Sequence, residues 1–315
     1  MKTVLINECT DTSIQDAFIF DLSETKINQC IGCWTCWWRT PGKCIYKDLE
    51  DFYRAYVNAD QAVFYAKLEE EKEMIVRVIK GILWVVLLTL LLLGVPRLAG
   101  LIANLFDYQA IDPDGAFAWI SVHHMAQALI FLLLIITIRL FKPLKLGFVW
   151  GNKAAGLRYV LKFTLIFTGG TVVSCLLAFL TDSFHAFAYP MTAHNIAGHL
   201  GFQLLLSGPS EELIFRAFAI TLLSLVVKKR IMNGKISYAN LIAAVIFGLA
   251  HISFSLAPFA VQFSTYQVIL AIVLGIFYGD CYEKTKSIYY PMMMHSISNI
   301  VMVSISILAT YFTSR

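Results

Sequence analysis

The chain has 315 residues, of which 58% are hydrophobic and 15% are charged, and its formal net charge is +4. Such a small positive charge gives no support to a nucleic-acid partner. The polar residues are gathered into short islands between long uncharged runs, and a transmembrane helix needs about 20 apolar residues. This pattern predicts an all-α polytopic membrane protein that lies in a lipid bilayer.

The first seventy residues differ in composition from the rest of the chain. Lys2–Ile6 and Ala62–Tyr65 are typical of short β-strands, and an aromatic- and cysteine-rich loop lies between them. We therefore expect three regions. They are a short α/β cytoplasmic segment over residues 1–70, N-terminal transmembrane helices over 71–180, and a helical core over 181–315.

The loop between the two predicted strands carries four cysteines with the spacing C-x2-C-x2-C-x7-C. They are Cys30, Cys33, Cys36 and Cys44. Thiolates at this spacing could hold zinc or an iron–sulfur centre, and a reducing cytosol argues against a disulfide framework. We favour a relic or regulatory appendage over a metal or redox site, and over a site for bound FMN.

The stretch from Gln29 to Asp48, QCIGCWTCWWRTPGKCIYKD, resembles the cysteine loop of flavodoxin-like NAD(P)H-dependent reductases. The strand Lys2–Ile6, however, is followed by Asn-Glu-Cys-Thr-Asp, where that family has a Gly-Ser-Pro-Arg-like phosphate loop. The segment before Asp21 is also too short for the first helix of the family. We therefore predict a truncated half-domain that binds no flavin.

Uncharged runs dominate the remaining sequence. They are Gly81–Val95, Gly115–Ile138, Phe163–Thr181, Ser183–Ser210, Ala217–Val227, Ile236–Gly279 and Ser287–Ser314. The run Ile236–Gly279 is long enough for two helices and is broken near Pro258, while Gly208-Pro209 should kink or restart a helix. These runs predict about seven transmembrane helices.

Basic residues are concentrated in alternate loops, at 139–162, 228–235 and 284–286. Loops rich in Lys and Arg stay in the cytoplasm. The loops Thr181–His194 and Ser253–Thr265 contain neither residue, so they belong on the opposite side. The alternation predicts an integral protein of a prokaryotic plasma membrane with a cytoplasmic N-terminus.

Three polar groups at helical spacing interrupt the apolar runs of the second half. They are Glu211-Glu212 with Arg216, Phe247 with His251, and His295 with Asn299. A charged side chain at mid-bilayer costs roughly 2.5–3.5 kcal/mol on the insertion scale. At about 1.5 Å per residue, Glu211 lies ~24 Å, His251 ~20 Å and His295 ~12 Å from the predicted cytoplasmic helix ends. Acid and imidazole groups are therefore expected at overlapping depths.

Each group also has a structural interpretation: an ion pair at i,i+4, a helix-end histidine, and a hydrogen-bonding pair between helices. A pairing of Glu212 with Arg216 would leave Glu211 about 100° round the helix, unpaired and suited to act as a general base. An imidazole from His251 could assist it. His295 and Asn299, one turn apart, resemble a donor pair for a developing oxyanion.

The sequences EELIFR at 211–216, FGLAH at 247–251 and HSISN at 295–299 resemble, in order, the EExxxR, FxxxH and HxxxN motifs of the CPBP family of CAAX proteases and bacteriocin-processing proteins. The resemblance extends over roughly His194–Leu308. It implies an intramembrane endopeptidase of the type that removes the terminal tripeptide from prenylated proteins. The substrate would be a membrane-associated or lipidated peptide, and the fold a helical bundle around a polar cavity.

The resemblance also implies roles for the motif residues: Glu211 and His251 activate water, and His295 and Asn299 stabilise the intermediate. The family name suggests a metalloprotease, in which Glu211, His251 and His295 would hold zinc or another divalent metal. A metal-free glutamate mechanism fits the same residues. The sequence leaves both mechanisms open.

Two functions from other classes are alternatives: a transporter that uses buried ionisable groups, and a non-enzymatic membrane protein that confers bacteriocin immunity by binding. We find no internal repeat of the kind that a transporter would favour. Among the remaining polar residues, we expect His123-His124 with Gln127 to serve packing or interfacial hydrogen bonding. His194 and His199 are expected at the membrane interface.

Overall fold

A computed structural model of the protein describes residues 3–7, 17–21, 47, 49–65, 68–181, 183–184, 186–256 and 259–313. The chain divides into two compact units, Met1–Lys80 and Gly81–Arg315. The four cysteines of the predicted C-x2-C-x2-C-x7-C loop lie outside the described residues. The predicted boundaries after residues 70 and 180, and the side of the membrane that each loop faces, stay predictions.

The first unit contains a small parallel sheet. Its strands β1 (Thr3–Asn7), β2 (Ala17–Asp21) and β3 (Gln61–Tyr65) are arranged in the order β2-β1-β3, and helix α1 (Glu50–Val57) precedes β3. The strands β1 and β3 lie at the two predicted positions, whereas β2 was not predicted. The order 2-1-3 is the first part of a flavodoxin-like sheet. The resemblance to a reductase nevertheless stays a prediction.

The second unit is built from long apolar helices. Five described helical segments are long and apolar enough to cross a membrane, and the first of them belongs to helix α2 (Leu68–Ala103). They are Val78–Ala103, α3 (Ala118–Phe141), α4 (Lys153–Leu180), and the two helices nearest the C-terminus, Thr265–Thr285 and Tyr289–Thr313. The chain is therefore an all-α polytopic membrane protein with a small α/β N-terminal part, as predicted.

The two remaining predicted spans fall on helices of a different kind. Residues 193–226 form a continuous helical run that we call the central helix. Its segments are α5 (Ala193–Phe202), a π-helical turn (Gln203–Ser207), α6 (Gly208–Glu212), a second π-helical segment (Leu213–Ile220) and α7 (Thr221–Val226). Helix α8 (Tyr238–Leu249) has only 12 residues. Gly208-Pro209 starts α6, in agreement with the predicted restart.

Two short antiparallel hairpins connect these helices. The first joins β4 (Arg230–Ile231) to β5 (Ile236–Ser237), and the second joins β6 (Ser253–Leu256) to β7 (Phe259–Gln262). The second hairpin occupies the predicted loop around Pro258, a residue outside the described range. His251 lies between the end of α8 and the start of β6. The last two helices follow as α9 (Thr265–Thr285) and α10 (Tyr289–Thr313).

The central helix forms the middle of the hydrophobic core. Every residue of its second π-helical segment is buried, including Arg216. Phe218 packs edge-on against Phe131 of α3, with the ring centroids 5.0 Å apart. A Cβ at Gly208 would lie 2.9 Å from the backbone nitrogen of Ser296 and 3.2 Å from Cβ of His295. The absence of a side chain at Gly208 thus lets α10 approach the central helix at the level of the two glutamates.

Candidate active site

The most deeply buried part of the site is an ion pair within the central helix. Glu212 and Arg216 are 0% and 1% exposed, and Nε of Arg216 lies 3.0 Å from Oε2 of Glu212. The N–H of Arg216 does not point at this oxygen, so the contact is an ion pair without a hydrogen bond. The predicted i,i+4 pairing is confirmed. Because the pair holds Glu212 close to a fixed positive charge, we treat this carboxylate as ionised.

Aromatic rings surround the guanidinium of Arg216. Its central carbon lies 4.8 Å from the ring centroid of Phe247 and 5.4 Å from that of Tyr278. Nη2 of Arg216 also donates to the carbonyl of Gly275 at 3.4 Å. Rings at these distances attract a cation through their negative faces and exclude water from it. Phe247 therefore shields the ion pair of Glu212 and Arg216 from water. This contact gives the phenylalanine of the motif Phe247–His251 a physical role.

His295 is connected to the ion pair from the neighbouring helix α10. Its Nδ1 lies 2.8 Å from Oε1 of Glu212, and an ionised carboxylate can only accept, so Nδ1–H donates. The ring stacks against Tyr278 with centroids 5.1 Å apart. These two contacts fix the orientation of the imidazole. They direct Nε2 of His295 toward Glu211, whose Oε2 lies 3.6 Å away.

Glu211 is the more accessible of the two glutamates, with 18% of its side chain exposed. Its carboxylate lies between two imidazoles. Oε2 is 3.6 Å from Nε2 of His295, and Oε1 is 3.9 Å from Nε2 of His124. Both separations are too long for a direct hydrogen bond and suit a bridging water. Glu211 is therefore the carboxylate that can meet a reacting molecule.

His124, which was expected to serve packing or interfacial hydrogen bonding, also faces Glu211. Its Nδ1 lies 2.8 Å from the hydroxyl oxygen of Ser210 and 3.1 Å from the side-chain nitrogen of Gln127. Nδ1 of His124 cannot both donate to the hydroxyl of Ser210 and accept from the amide of Gln127, so the ring tautomer decides which of these two bonds forms. This arrangement leaves Nε2 to face the carboxylate. The i,i+3 spacing of His124 and Gln127 was the available sequence signal, but it did not indicate which helix they would meet.

His251 lies at the edge of this cluster. Its Nδ1 is 2.8 Å from the carbonyl oxygen of Phe247, and its ring meets the ring of Phe247 edge-on with centroids 5.0 Å apart. The ring is half-buried and its Nε2 remains available. The ring of Phe247 also contacts His295, with centroids 5.9 Å apart. Phe247 thus connects His251 to the cluster, and among the described contacts His251 has none with Glu211 itself.

Asn299 is one turn along α10 from His295 and is half-buried. Its side-chain nitrogen donates to the hydroxyl oxygen of Ser207 at 3.0 Å. Ser207 belongs to the first π-helical turn, one turn before Glu211. One N–H of the Asn299 amide therefore has a protein partner, and the second can serve another acceptor.

A metal would need several ligands at short range. In the part of the chain that the structure describes, no three His, Cys, Asp or Glu side chains are close enough together to hold a metal ion. The predicted ligands Glu211, His251 and His295 thus do not form a preassembled set. The metal site stays a prediction.

The fold and the cluster define an integral membrane protein with an acid–imidazole centre between its helices. Residues 195–301 match a family model described as type II CAAX prenyl endopeptidase Rce1-like. The match includes all three motif groups and supports their resemblance to CAAX-type proteases. His124 lies outside it. No curated protein and no solved structure matches the chain.

Proposed function

We propose that this protein is an intramembrane endopeptidase that hydrolyses a peptide bond in a membrane-associated or lipidated peptide. The observation that carries the proposal is the position of Glu211. Its carboxylate lies between two imidazole nitrogens, while the charge of Glu212 beside it is offset by Arg216. Glu212 is thereby held in an ion pair, and Glu211 is left to take part in the reaction.

In the proposed reaction Glu211 is the general base. A water beside its carboxylate gives up a proton to it, and the water oxygen forms a bond to the carbonyl carbon of the substrate. The electron pair of the C=O bond moves to the carbonyl oxygen. The electron pair on that oxygen then re-forms the C=O bond as the C–N bond breaks, and the proton held by Glu211 passes to the leaving nitrogen, which releases an amine and a carboxylic acid. Positioned proton transfer of this kind contributes about 10²–10⁴-fold to a rate.

His295 and Glu212 act as a pair in this scheme. The Nδ1–H to carboxylate bond fixes the orientation of His295 and stabilises a positive charge on its ring. In the proposed reaction the ring already carries a proton on Nε2 when the substrate binds, and this Nε2–H donates to the carbonyl oxygen as negative charge develops there and keeps its proton throughout. Asn299 would supply a second donor through the N–H that Ser207 does not use. His251 would orient or polarise the water.

The substrate class follows from the location of the site. His124 and His295 lie on helices that are long and apolar enough to cross a bilayer, which favours a substrate that is itself held at the membrane. A peptide attached to the membrane, by a lipid or by its own apolar segment, is presented at the right place. The description of the matched family, a prenyl endopeptidase, supports a lipidated substrate.

The test is cleavage of peptides by purified protein in lipid nanodiscs. Lipidated and plain peptides are incubated with the wild type and with Glu211→Gln, and products are identified by mass spectrometry. Glu283→Gln is a matched control, because Glu283 pairs with Arg230 and Ser237 far along α9. We expect cleavage by the wild type and by Glu283→Gln, and none by Glu211→Gln. Equal cleavage by all three proteins would contradict the proposal.

A further inference from the structure

A groove of about 560 Å³ lies between α4 and α9. Its α4 wall consists of residues that recur at every third and fourth position from Ala155 to Phe167, so they form one face of that helix. Val273 and Phe277 line the α9 side and are 45% and 55% exposed, which shows that the groove is open along its length. Both helices are long and apolar enough to cross a membrane. In a bilayer the groove is therefore in contact with lipid.

The two ends of the groove differ in polarity. Arg158 and Lys162, one turn apart on α4, line one end, whereas Ile166 and Phe167 line the part further along the same helix. At about 1.5 Å per residue, the wall from Ala155 to Phe167 extends over ~18 Å. This length is close to one half of a hydrocarbon core that is roughly 30 Å thick. The groove thus combines a positive end with an apolar stretch about as deep as one lipid leaflet.

The positive end of the groove lies near the start of α4. This helix has 28 residues, so it is ~42 Å long and exceeds the hydrocarbon core, which is roughly 30 Å thick. Arg158 and Lys162 are its sixth and tenth residues and are exposed. Their long side chains can extend to the level of the lipid headgroups. Neither charge is buried, and what distinguishes them is the apolar groove that begins beside them.

The charges at this end are not balanced by acids. Among the described residues, no acidic side chain lies within ion-pair distance of Arg158 or Lys162. Nε of Arg158 donates to a carbonyl of its own helix, which leaves its terminal nitrogens to bind an anion. Asp280 contacts Tyr159 of the same wall, but it is already paired with Lys284 at 2.9 Å. The excess positive charge matches a phosphate group.

We propose that this groove binds one anionic phospholipid, with the lipid phosphate at Arg158 and Lys162 and an acyl chain along the apolar wall. The open side admits a lipid directly from the bilayer. Basic residues between membrane helices favour an anionic headgroup over a zwitterionic one. The inference does not depend on the proposed function, because neither residue takes part in the proposed cleavage and lipid binding is measured without a peptide substrate.

The experiment measures how many lipid molecules the full chain retains in detergent. Phosphatidylglycerol and phosphatidylcholine with the same acyl chains are titrated separately, and native mass spectrometry gives the number bound and the affinity. The charge variant is Arg158→Gln with Lys162→Gln. Its control is Lys228→Gln with Lys229→Gln, which removes two adjacent exposed charges outside the groove.

A second pair of variants tests the groove itself. Val273→Trp places a large ring in the groove and leaves both basic residues unchanged. Val173→Trp adds the same ring at an exposed position of α4 that does not line the groove. The pair therefore separates a lipid that occupies the groove from one that is attracted only by surface charge.

We expect the wild type to bind one phosphatidylglycerol about 5–30-fold more tightly than phosphatidylcholine, since each basic residue at a membrane surface contributes about 5-fold to the affinity for anionic lipid. The preference should disappear when Arg158 and Lys162 are replaced, and it should persist in the control pair. Val273→Trp should lose the tightly bound lipid, and Val173→Trp should keep it.

The inference is overturned if the wild type binds both lipids equally, or if both charge variants keep or lose the preference together. It is also overturned if the preference survives in Val273→Trp, because the basic residues would then attract lipid without the groove. A third titration with an S-farnesyl peptide tests another occupant. If Val273→Trp weakens binding of that peptide and not of phosphatidylglycerol, the groove holds the lipid chain of a peptide and the inference is wrong.

Discussion

Oε1 of Glu212 lies 2.8 Å from Nδ1 of His295, although the two residues belong to different helices and are 83 positions apart. With Arg216 on the other oxygen of the same carboxylate, this contact joins the first motif to the third. It divides the adjacent glutamates between two tasks. In the proposed reaction Glu212 holds His295 and Arg216 in place, and Glu211 remains for the reacting molecule.

This division predicts different consequences for two similar substitutions. Glu212→Gln removes the charge that offsets the buried Arg216, and breaking a buried pair costs about 3–5 kcal/mol. We expect a much lower folded yield and melting temperature. Glu211→Gln should keep both near the wild-type values and abolish cleavage. The yield of folded protein and its thermal unfolding in detergent are the measurements. If Glu212→Gln is stable but inactive, Glu212 takes part in the reaction itself.

His124 is expected to assist Glu211 although it lies outside the matched family region. Its Nε2 is 3.9 Å from Oε1 of Glu211. His124→Ala should lower turnover by about 10²-fold, the lower end of the range for a positioned acid–base group, with folded yield unchanged. His194→Ala is the control, because His194 is exposed and bonds only the loop carbonyl of Ile111 among described partners. Equal turnover in both variants would return His124 to a packing role.

Asn299 allows a donor role to be separated from a packing role. Loss of an oxyanion donor costs about 100–1000-fold in turnover, so we expect Asn299→Ala to lose that much with little change in substrate binding. Asn299→Asp should be at least as damaging, since it sets a negative charge against the developing oxyanion. Ser207→Ala removes only the partner of Asn299 and should cost less. Turnover near normal in both well-folded Asn299 variants would remove this residue from the site.

The close approach at Gly208 gives a test of how the site is assembled. A methyl group there would meet the backbone of Ser296 and push α10 away from the central helix. We expect Gly208→Ala to reduce turnover more than 10-fold, because a displacement of about 1 Å at a catalytic group can cost 10²-fold. Gly201→Ala in the same helical run meets nothing within 4 Å and should behave as wild type. The two variants and the wild type are compared by their single-turnover cleavage rates at equal concentrations of folded protein.

The metal question can be decided by chelation. The described His, Cys, Asp and Glu side chains form no group of metal ligands. We therefore expect the cleavage rate to change by no more than about twofold when 1,10-phenanthroline or EDTA is added. Removal of a catalytic metal would lower the rate far more, because such a metal stabilises the transition state by several kcal/mol. Metal content is measured on the same sample by mass spectrometry. Loss of activity that added Zn²⁺ restores would instead support the ligand set Glu211, His251 and His295.

The sequence predicted the membrane class and the ion pair of Glu212 with Arg216, because apolar length and helical spacing are local properties. It did not predict that His295 would bond Glu212, since that contact depends on how closely two helices approach. The packing or hydrogen-bonding role expected for His124 agrees with its contacts to Ser210 and Gln127, but the sequence did not indicate that its ring would also face Glu211. No spacing rule connects a residue of α3 with one of the central helix, and only the packed structure brings His124 to Glu211.

The strand β2 and the hairpin β6–β7 were also missed. Ala17–Asp21 and Ser253–Leu256 are each only four or five residues long, and their pairing partners are chosen by the surrounding structure more than by their own composition. The central helix was divided between two apolar runs because Glu211, Glu212 and Arg216 interrupt its hydrophobicity. The alternation of loops nevertheless placed both runs in one span, since residues 181–194 and 228–235 were expected on opposite sides of the membrane.

The two π-helical segments of the central helix change how its sequence has to be projected. A π-turn holds more residues than the 3.6 of an α-turn, so each segment alters the angular phase of everything beyond it. A helical wheel drawn at uniform spacing through residues 193–226 would therefore place α5 and α7 on faces that they do not occupy. Only the five residues Gly208–Glu212, between the two segments, form the α-helical frame that carries both glutamates.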